Sequence, residues 1–180
     1  MKTKTSKITY TGIFMALVTV GTIIHIAPSA HSGYTHFGDS MIYIASCVLP
    51  APYALLASSA GAALADILTG AANWAIPTLI IKALNALPFI FIRIYLKKMN
   101  KDDKIISVYT ILMLIPTSLV TIFGYLVAEL IMYGTKFAFV SAFTTGWLQP
   151  TGSLIVFIIV GLALDKLNFK IKIQKAIGEK

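Results

Sequence analysis

Apolar residues run with few interruptions through 8–28, 75–96, 105–133 and about 146–165. A helix needs roughly 20 such residues to cross a hydrocarbon core of ~30 Å, so each run predicts one membrane-spanning helix. The segment 39–70 is too long for one straight helix and is cut by Pro50 and Pro52. Proline removes a backbone donor and pushes its predecessor out of helical geometry, which predicts a break there. The pieces 39–49 and 52–69 would be about 17 Å and about 27 Å long at ~1.5 Å per residue. A short helix 2 followed by a full helix 3 gives six segments; a re-entrant first piece is the alternative. The expected fold is an all-α integral membrane protein. It is a single membrane domain over 1–180, with helices at about 8–28, 39–49, 52–69, 75–96, 105–133 and 146–165.

Composition agrees with this pattern. The chain is 57% hydrophobic and 12% charged, with a mean hydropathy of +0.82; a soluble domain carries about twice that charge fraction. The start MKTKTSKITYTGIFMALVTVGTIIHIA has the basic and apolar parts of a signal peptide. It lacks a small-x-small cleavage site, and later segments are equally apolar, so it is read as a helix. The single cysteine, Cys47, excludes an internal disulfide and a multi-cysteine metal site. The net charge of +8 would suit nucleic acid, but the basic residues sit in short clusters between apolar spans. Lys2, Lys4 and Lys7 precede helix 1, and Lys97, Lys98, Lys101 and Lys104 separate helices 4 and 5. Lys166, Lys170, Lys172, Lys175 and Lys180 follow helix 6. The connections at about 29–38, 70–74 and 134–145 hold only Lys136. Cytoplasmic loops carry the Lys/Arg excess, so six crossings with both termini in the cytoplasm are expected.

The lysine-poor connections carry the chemistry. SAHSGYTHFG (29–38) offers His31, Tyr34, His36 and Phe37. GAANW (70–74) offers Asn73 and Trp74, and FTTGWLQ (143–149) offers Phe143, Thr144, Thr145, Trp147 and Gln149. Aromatic faces beside a few hydrogen-bonding groups suit a planar polar ligand; an interfacial aromatic belt would use the same residue types. Lys82 lies about seven residues into helix 4, where a charge must be paired or face a cavity. Thr78, Lys82 and Asn85 share one helical face, and Tyr125, Glu129 and Tyr133 share another on helix 5. Lys82 and Glu129 would form an ion pair or bind opposite ends of a zwitterionic ligand; Asp66 is a further counter-ion for Lys82. Asp39 reads as the N-cap of helix 2. Gly12 and Ala16 on helix 1 are small residues four apart, suited to close approach of another helix, of this chain or of a partner. SSAGAALAD in helix 3 reads as tight internal packing.

Several chemistries are excluded. There is no GxxxxGK[ST] loop for ATP, no HExxH pair and no GxSxG elbow. His31 and His36 have no evident third metal ligand. No catalytic residue and no cofactor is expected.

GYTHFGDSMIYIASCVLPAPYALLASSAGAALADILTG followed by IPTLIIKALNAL resembles the substrate-binding S components of energy-coupling factor (ECF) vitamin transporters. The likeness is to the riboflavin-transporter-like branch, which also includes predicted pyridoxine and hydroxymethylpyrimidine carriers. The pattern G-Y-x-H-L-G-D corresponds to Gly33, Tyr34, His36, Gly38 and Asp39. S-A-L-A-D corresponds to 62–66, and F-I-I-K to 80–82. LPAP stands where the family has Gly-Pro. The nickel/cobalt branch, which has His after the initiator Met, is not matched by Lys2. The resemblance implies a six-helix protein of the bacterial cell membrane that captures a vitamin with high affinity. It implies docking on a coupling membrane protein and two ATPase subunits, through a small-x-x-x-small motif matched by Gly12 and Ala16. The implied pocket lies in the outer half, in agreement with the residues chosen on physical grounds. The expected substrate-binding set is Tyr34, His36, Asn73, Trp74, Thr78, Lys82, Asn85, Tyr125, Glu129, Tyr133, Trp147 and Gln149. The rival readings are a self-sufficient ion-coupled carrier or channel using Lys82, Asp66 and Glu129, and a membrane enzyme, for which no acid/base or nucleophile constellation is present.

Overall fold

The computed structural model describes residues 2–26, 35–144 and 146–179. Helix α1 spans Lys2–Ile23, α2 Gly38–Val48, α3 Ala51–Leu68 and α4 Ala75–Lys98. After a short α5 (Val108–Leu112) come α6 (Leu114–Tyr133), α7 (Thr135–Thr144), α8 (Leu148–Lys166) and α9 (Phe169–Ala176). A two-residue antiparallel pairing joins β1 (His25–Ile26) to β2 (Thr35–His36) ahead of α2, with His25 opposite His36. Among the described residues, five helical stretches are long and apolar enough to cross a membrane: Thr3–Ile23, Ala51–Leu68, Ala72–Lys98, Val108–Tyr133 and Ala138–Lys166. The protein is thus a multi-pass, all-helical membrane protein.

The short α2 lies at the centre. Every residue in it except Met41 is buried, the polar Asp39, Ser40 and Ser46 included. It packs against α1, α3, α4, α8 and α9. Its entry is set by close backbone approach: the Phe37 amide donates to Gly21 O at 2.9 Å, and a Cβ at Gly38 would collide with the Thr22 hydroxyl. It ends at the expected proline break, where Pro50 is the N-cap of α3 and its carbonyl accepts from the Tyr53 and Ala54 amides at 3.0 Å. Tyr43 of α2 stacks on Phe89 of α4 at 4.8 Å between ring centroids, and both meet Phe157 of α8 edge-on at 5.7 and 5.3 Å. These rings lock three helices around one point. The small residues of α3 pack inward as expected: a Cβ at Gly61 would sit 2.8 Å from Met15 O, and the Thr19 hydroxyl donates to Gly61 O at 2.8 Å. Gly12 and Ala16, by contrast, face away from the bundle, and nothing lies within 4 Å of a Cβ placed on Gly12.

Four segments differ from the sequence reading. The helix expected at 8–28 starts at Lys2 and ends at Ile23, ahead of β1. The helix expected at 105–133 starts three residues late, at a Ser107–Thr110 capping box, and is broken at Met113, ahead of Pro116, which has no amide N–H to bond the Leu112 carbonyl. The connection at 134–145 contains α7, which Gly134 separates from α6 in a positive-φ conformation (87°) that glycine adopts readily. The basic C-terminal stretch folds back as α9, with Ile173 and Ile177 buried against the bundle.

At this lysine-rich end a polar network closes the fold. Arg93 of α4 donates to Leu49 O, the carbonyl left over at the α2–α3 break, and to Glu179; its Nε lies 3.5 Å from Asp102. Lys170 meets Asp102 at 2.6 Å, and the Gln174 amide donates to the same carboxylate at 2.8 Å. Asp165 of α8 accepts from the amides of Ile105 and Ile106 at 2.7 and 2.9 Å.

Candidate functional site

The opposite end, where Trp74 leads into α4, holds the candidate site. Lys82 is wholly buried, about 10 Å inside α4 by its rise per residue. Its Nζ lies 2.7 Å from Asp39 Oδ1 and 2.9 Å from Oδ2, with side-chain exposures of 1% and 0%. The Gln149 amide of α8 donates to Asp39 Oδ2 at 2.8 Å. The Tyr125 ring of α6 presents its face to the same ammonium, 5.1 Å from the centroid. One node therefore ties α2, α4, α6 and α8 together. Its charges are matched, as a buried pair in a low-dielectric layer requires.

This corrects two expectations. Asp39 does not cap α2: the N-cap is Phe37, without a side-chain cap bond, and Asp39 lies in the first turn with its carboxylate directed to Lys82 and Gln149. The counter-ion of Lys82 is Asp39, rather than Asp66 or Glu129. Glu129 instead accepts from the Ser141 hydroxyl of α7 at 2.9 Å, and Asp66 of α3 lies near the Thr78 hydroxyl with its Oδ2 lacking a hydrogen-bond partner.

The remaining residues fall into three groups. His36 is buried beside Asp39; its Nδ1 accepts from the Gly38 amide at 3.2 Å, and its carbonyl accepts from Ser153 of α8 at 3.1 Å. Trp74 stands above the node with ring centroids 5.9 Å from both Tyr125 and Tyr133, and the Asn73 amide reaches the Tyr133 hydroxyl at 3.4 Å. Thr78 is buried and close to Tyr125. Asn85, one turn below Lys82, is wholly buried; neither amide atom has a hydrogen-bond partner, although the Tyr43 hydroxyl is a polar neighbour. Trp147 is not gathered in: it is 61% exposed and its indole N–H donates to Phe143 O at 3.3 Å. Phe143 is likewise exposed, stacked on Phe139. Tyr34, His31 and Thr145 lie outside the described residues, and nothing is described of the Thr144 side chain.

Sequence reasoning missed Ser153 and Tyr43 as neighbours of the site, and Asp39 as part of it. The signal for Asp39 was available: a lysine this deep demands an anion, and Asp39 opens a helix on the same lysine-poor side.

Buried, charge-matched polar groups below an aromatic tier, inside a multi-pass helical bundle, define a membrane protein built to hold a small polar solute. The family model for the ECF-type riboflavin transporter S component matches residues 2–167, nearly the whole chain. The chain belongs to that family. It is a transporter component rather than an enzyme, and it serves vitamin binding and uptake as the S component of an ECF transporter. No curated protein matches the chain significantly.

Proposed function

We propose that this chain forms one membrane domain that crosses a bacterial cell membrane six times, with α2 making the short crossing and both termini in the cytoplasm. The lysine excess at the Arg93 end supports this orientation. The site at the Trp74 end then opens outward and captures a vitamin or vitamin precursor with a flat polar ring. His36, Asn73, Trp74, Thr78, Lys82, Asn85, Tyr125, Tyr133 and Gln149 surround it, and Glu129 and Trp147 lie on the segments that would border its entrance; Tyr34, outside the described residues, completes the proposed set. Asn85 carries this reading: a buried amide with the Tyr43 hydroxyl beside it and no hydrogen bond of good geometry is costly in a bilayer, and a ligand with a donor and an acceptor would satisfy it. The chain has no ATP-binding loop, so energy comes from a coupling membrane protein and two ATPase subunits. The outward-facing Gly12 and Ala16 suit close approach of the coupling protein.

The test is to purify the protein and identify co-purifying small molecules by mass spectrometry. The identified compound should bind Lys82→Ala at least tenfold more weakly than wild type. Equal binding to the two proteins would remove Lys82 from the site.

A further inference from the structure

We propose that Asp39 sets the charge of the solute this protein accepts, admitting uncharged hydroxylated heterocycles and refusing their phosphate esters. This inference rests on the proposed site and names the chemistry that site selects.

This half of the molecule holds few cationic side chains. Residues 8–81, 105–135 and 137–165 contain no lysine or arginine. Lys82 is the only buried lysine or arginine at the Trp74 end among the described residues, since Arg93 and Lys170 belong to the opposite end, and the buried His36 likewise faces Asp39. Lys136, on α7, is exposed. Lys82 is already engaged by both oxygens of Asp39, which also accepts from Gln149. The other carboxylates on this side, Asp66 and Glu129, add negative charge.

A phosphate monoester carries about −1.5 to −2 charge at pH 7. Sites for such groups supply unpaired cations or a cradle of backbone amides. Here the ammonium that could serve is neutralised at 2.7 Å, and a phosphate would have to displace Asp39, leaving that carboxylate buried and unpaired. A neutral ring with hydroxyl or amide groups needs no such exchange. It can use the Asn85 amide and the Trp74 and Tyr125 faces while the ion pair stays closed. Asp39 is thus a specificity-determining residue, acting by holding Lys82.

The test measures binding of matched pairs to the purified full chain: riboflavin and riboflavin 5′-phosphate, pyridoxine and pyridoxine 5′-phosphate, hydroxymethylpyrimidine and its phosphate. Wild type should bind the neutral member of at least one pair ~100-fold or more tightly than its phosphate, the scale of unpairing a buried charge. Asp39→Asn keeps the side-chain size and releases the ammonium, so the ratio for that pair should fall at least tenfold through tighter phosphate binding. An unchanged ratio in a folded Asp39→Asn protein overturns the inference. If that variant does not fold, the wild-type ratio decides alone: equal binding of ester and neutral form overturns the inference and leaves the site standing. Failure of every neutral member to bind wild type overturns both.

Discussion

Arg93 of α4 donates its guanidinium to the main-chain oxygen of Leu49, the carbonyl stranded where the prolines break α2 from α3. A buried arginine answers a buried backbone defect, where water is not on hand to do so. Glu179 and Asp102 neutralise it from the C-terminal segment and the α4–α5 loop. Replacing Arg93 by Leu would leave one carbonyl and two carboxylates short of a partner. A loss of about 3–5 kcal/mol is expected, as when one member of a buried ion pair is removed. Arg93→Lys should lose less, since an ammonium keeps the charge but lacks the forked reach to three acceptors. Thermal unfolding in detergent checks both; a melting temperature unchanged in Arg93→Leu would show the network to be idle.

The two small-residue stretches separate cleanly in mutation. At Gly61 even a Cβ would lie 2.8 Å from Met15 O, so Gly61→Leu should force α1 and α3 apart and cost folding as well as binding. At Gly12 a side chain meets nothing within 4 Å. Gly12→Leu is therefore expected to leave melting temperature and solute binding unchanged while abolishing co-purification with the coupling subunit. Normal assembly of Gly12→Leu would show that the docking contact lies elsewhere.

Most of the fold was legible because bilayer thickness imposes long apolar runs, and the α2 break because Pro50 and Pro52 remove donors at known places. Lys82 was legible as an anomaly of depth. Its partner was not, because 43 residues separate it from Asp39 and three carboxylates lay at plausible heights; only the tertiary crossing of α2 and α4 chooses among them. Trp147 was chosen for residue type alone, and type does not tell whether a ring points into a bundle or toward lipid. Arg93 drew no notice because it precedes a lysine cluster and reads as one more interfacial cation.

Helix α9 escaped for a related reason: alternating lysines in FKIKIQKA look like a solvated tail until the burial of Lys170 and Gln174 is seen. The lysine amine reaches both Asp102 and the carbonyl of Lys104 at 2.9 Å. Ending the chain after Leu167 would strip Asp102 of Lys170 and Gln174, strip Arg93 of Glu179, and expose the apolar surface under Ile173 and Ile177. The expected result is a melting temperature lower by several degrees and faster proteolytic cleavage in the α4–α5 loop. A tail without a structural role would leave both unchanged.

Asn85 gives the sharpest discrimination between a site and a structural core. Its amide is buried without a partner of good geometry, which costs a folded protein about 1–3 kcal/mol. Asn85→Leu, of similar size and apolar, should remove that penalty and raise the melting temperature of the empty protein by a few degrees, at about 2–4 °C per kcal/mol for a chain of this length. The same substitution should weaken binding of the co-purified small molecule at least tenfold, or about 1.4 kcal/mol, because the solute loses the donor and acceptor that were held open for it. Stability and affinity then move in opposite directions, as happens when a polar group is kept for function at the expense of the fold. If Asn85 serves instead to support the Tyr43 hydroxyl, Asn85→Leu would lower the melting temperature and leave affinity unchanged. Thermal unfolding of the empty protein and equilibrium titration, run on the same preparation, separate the two.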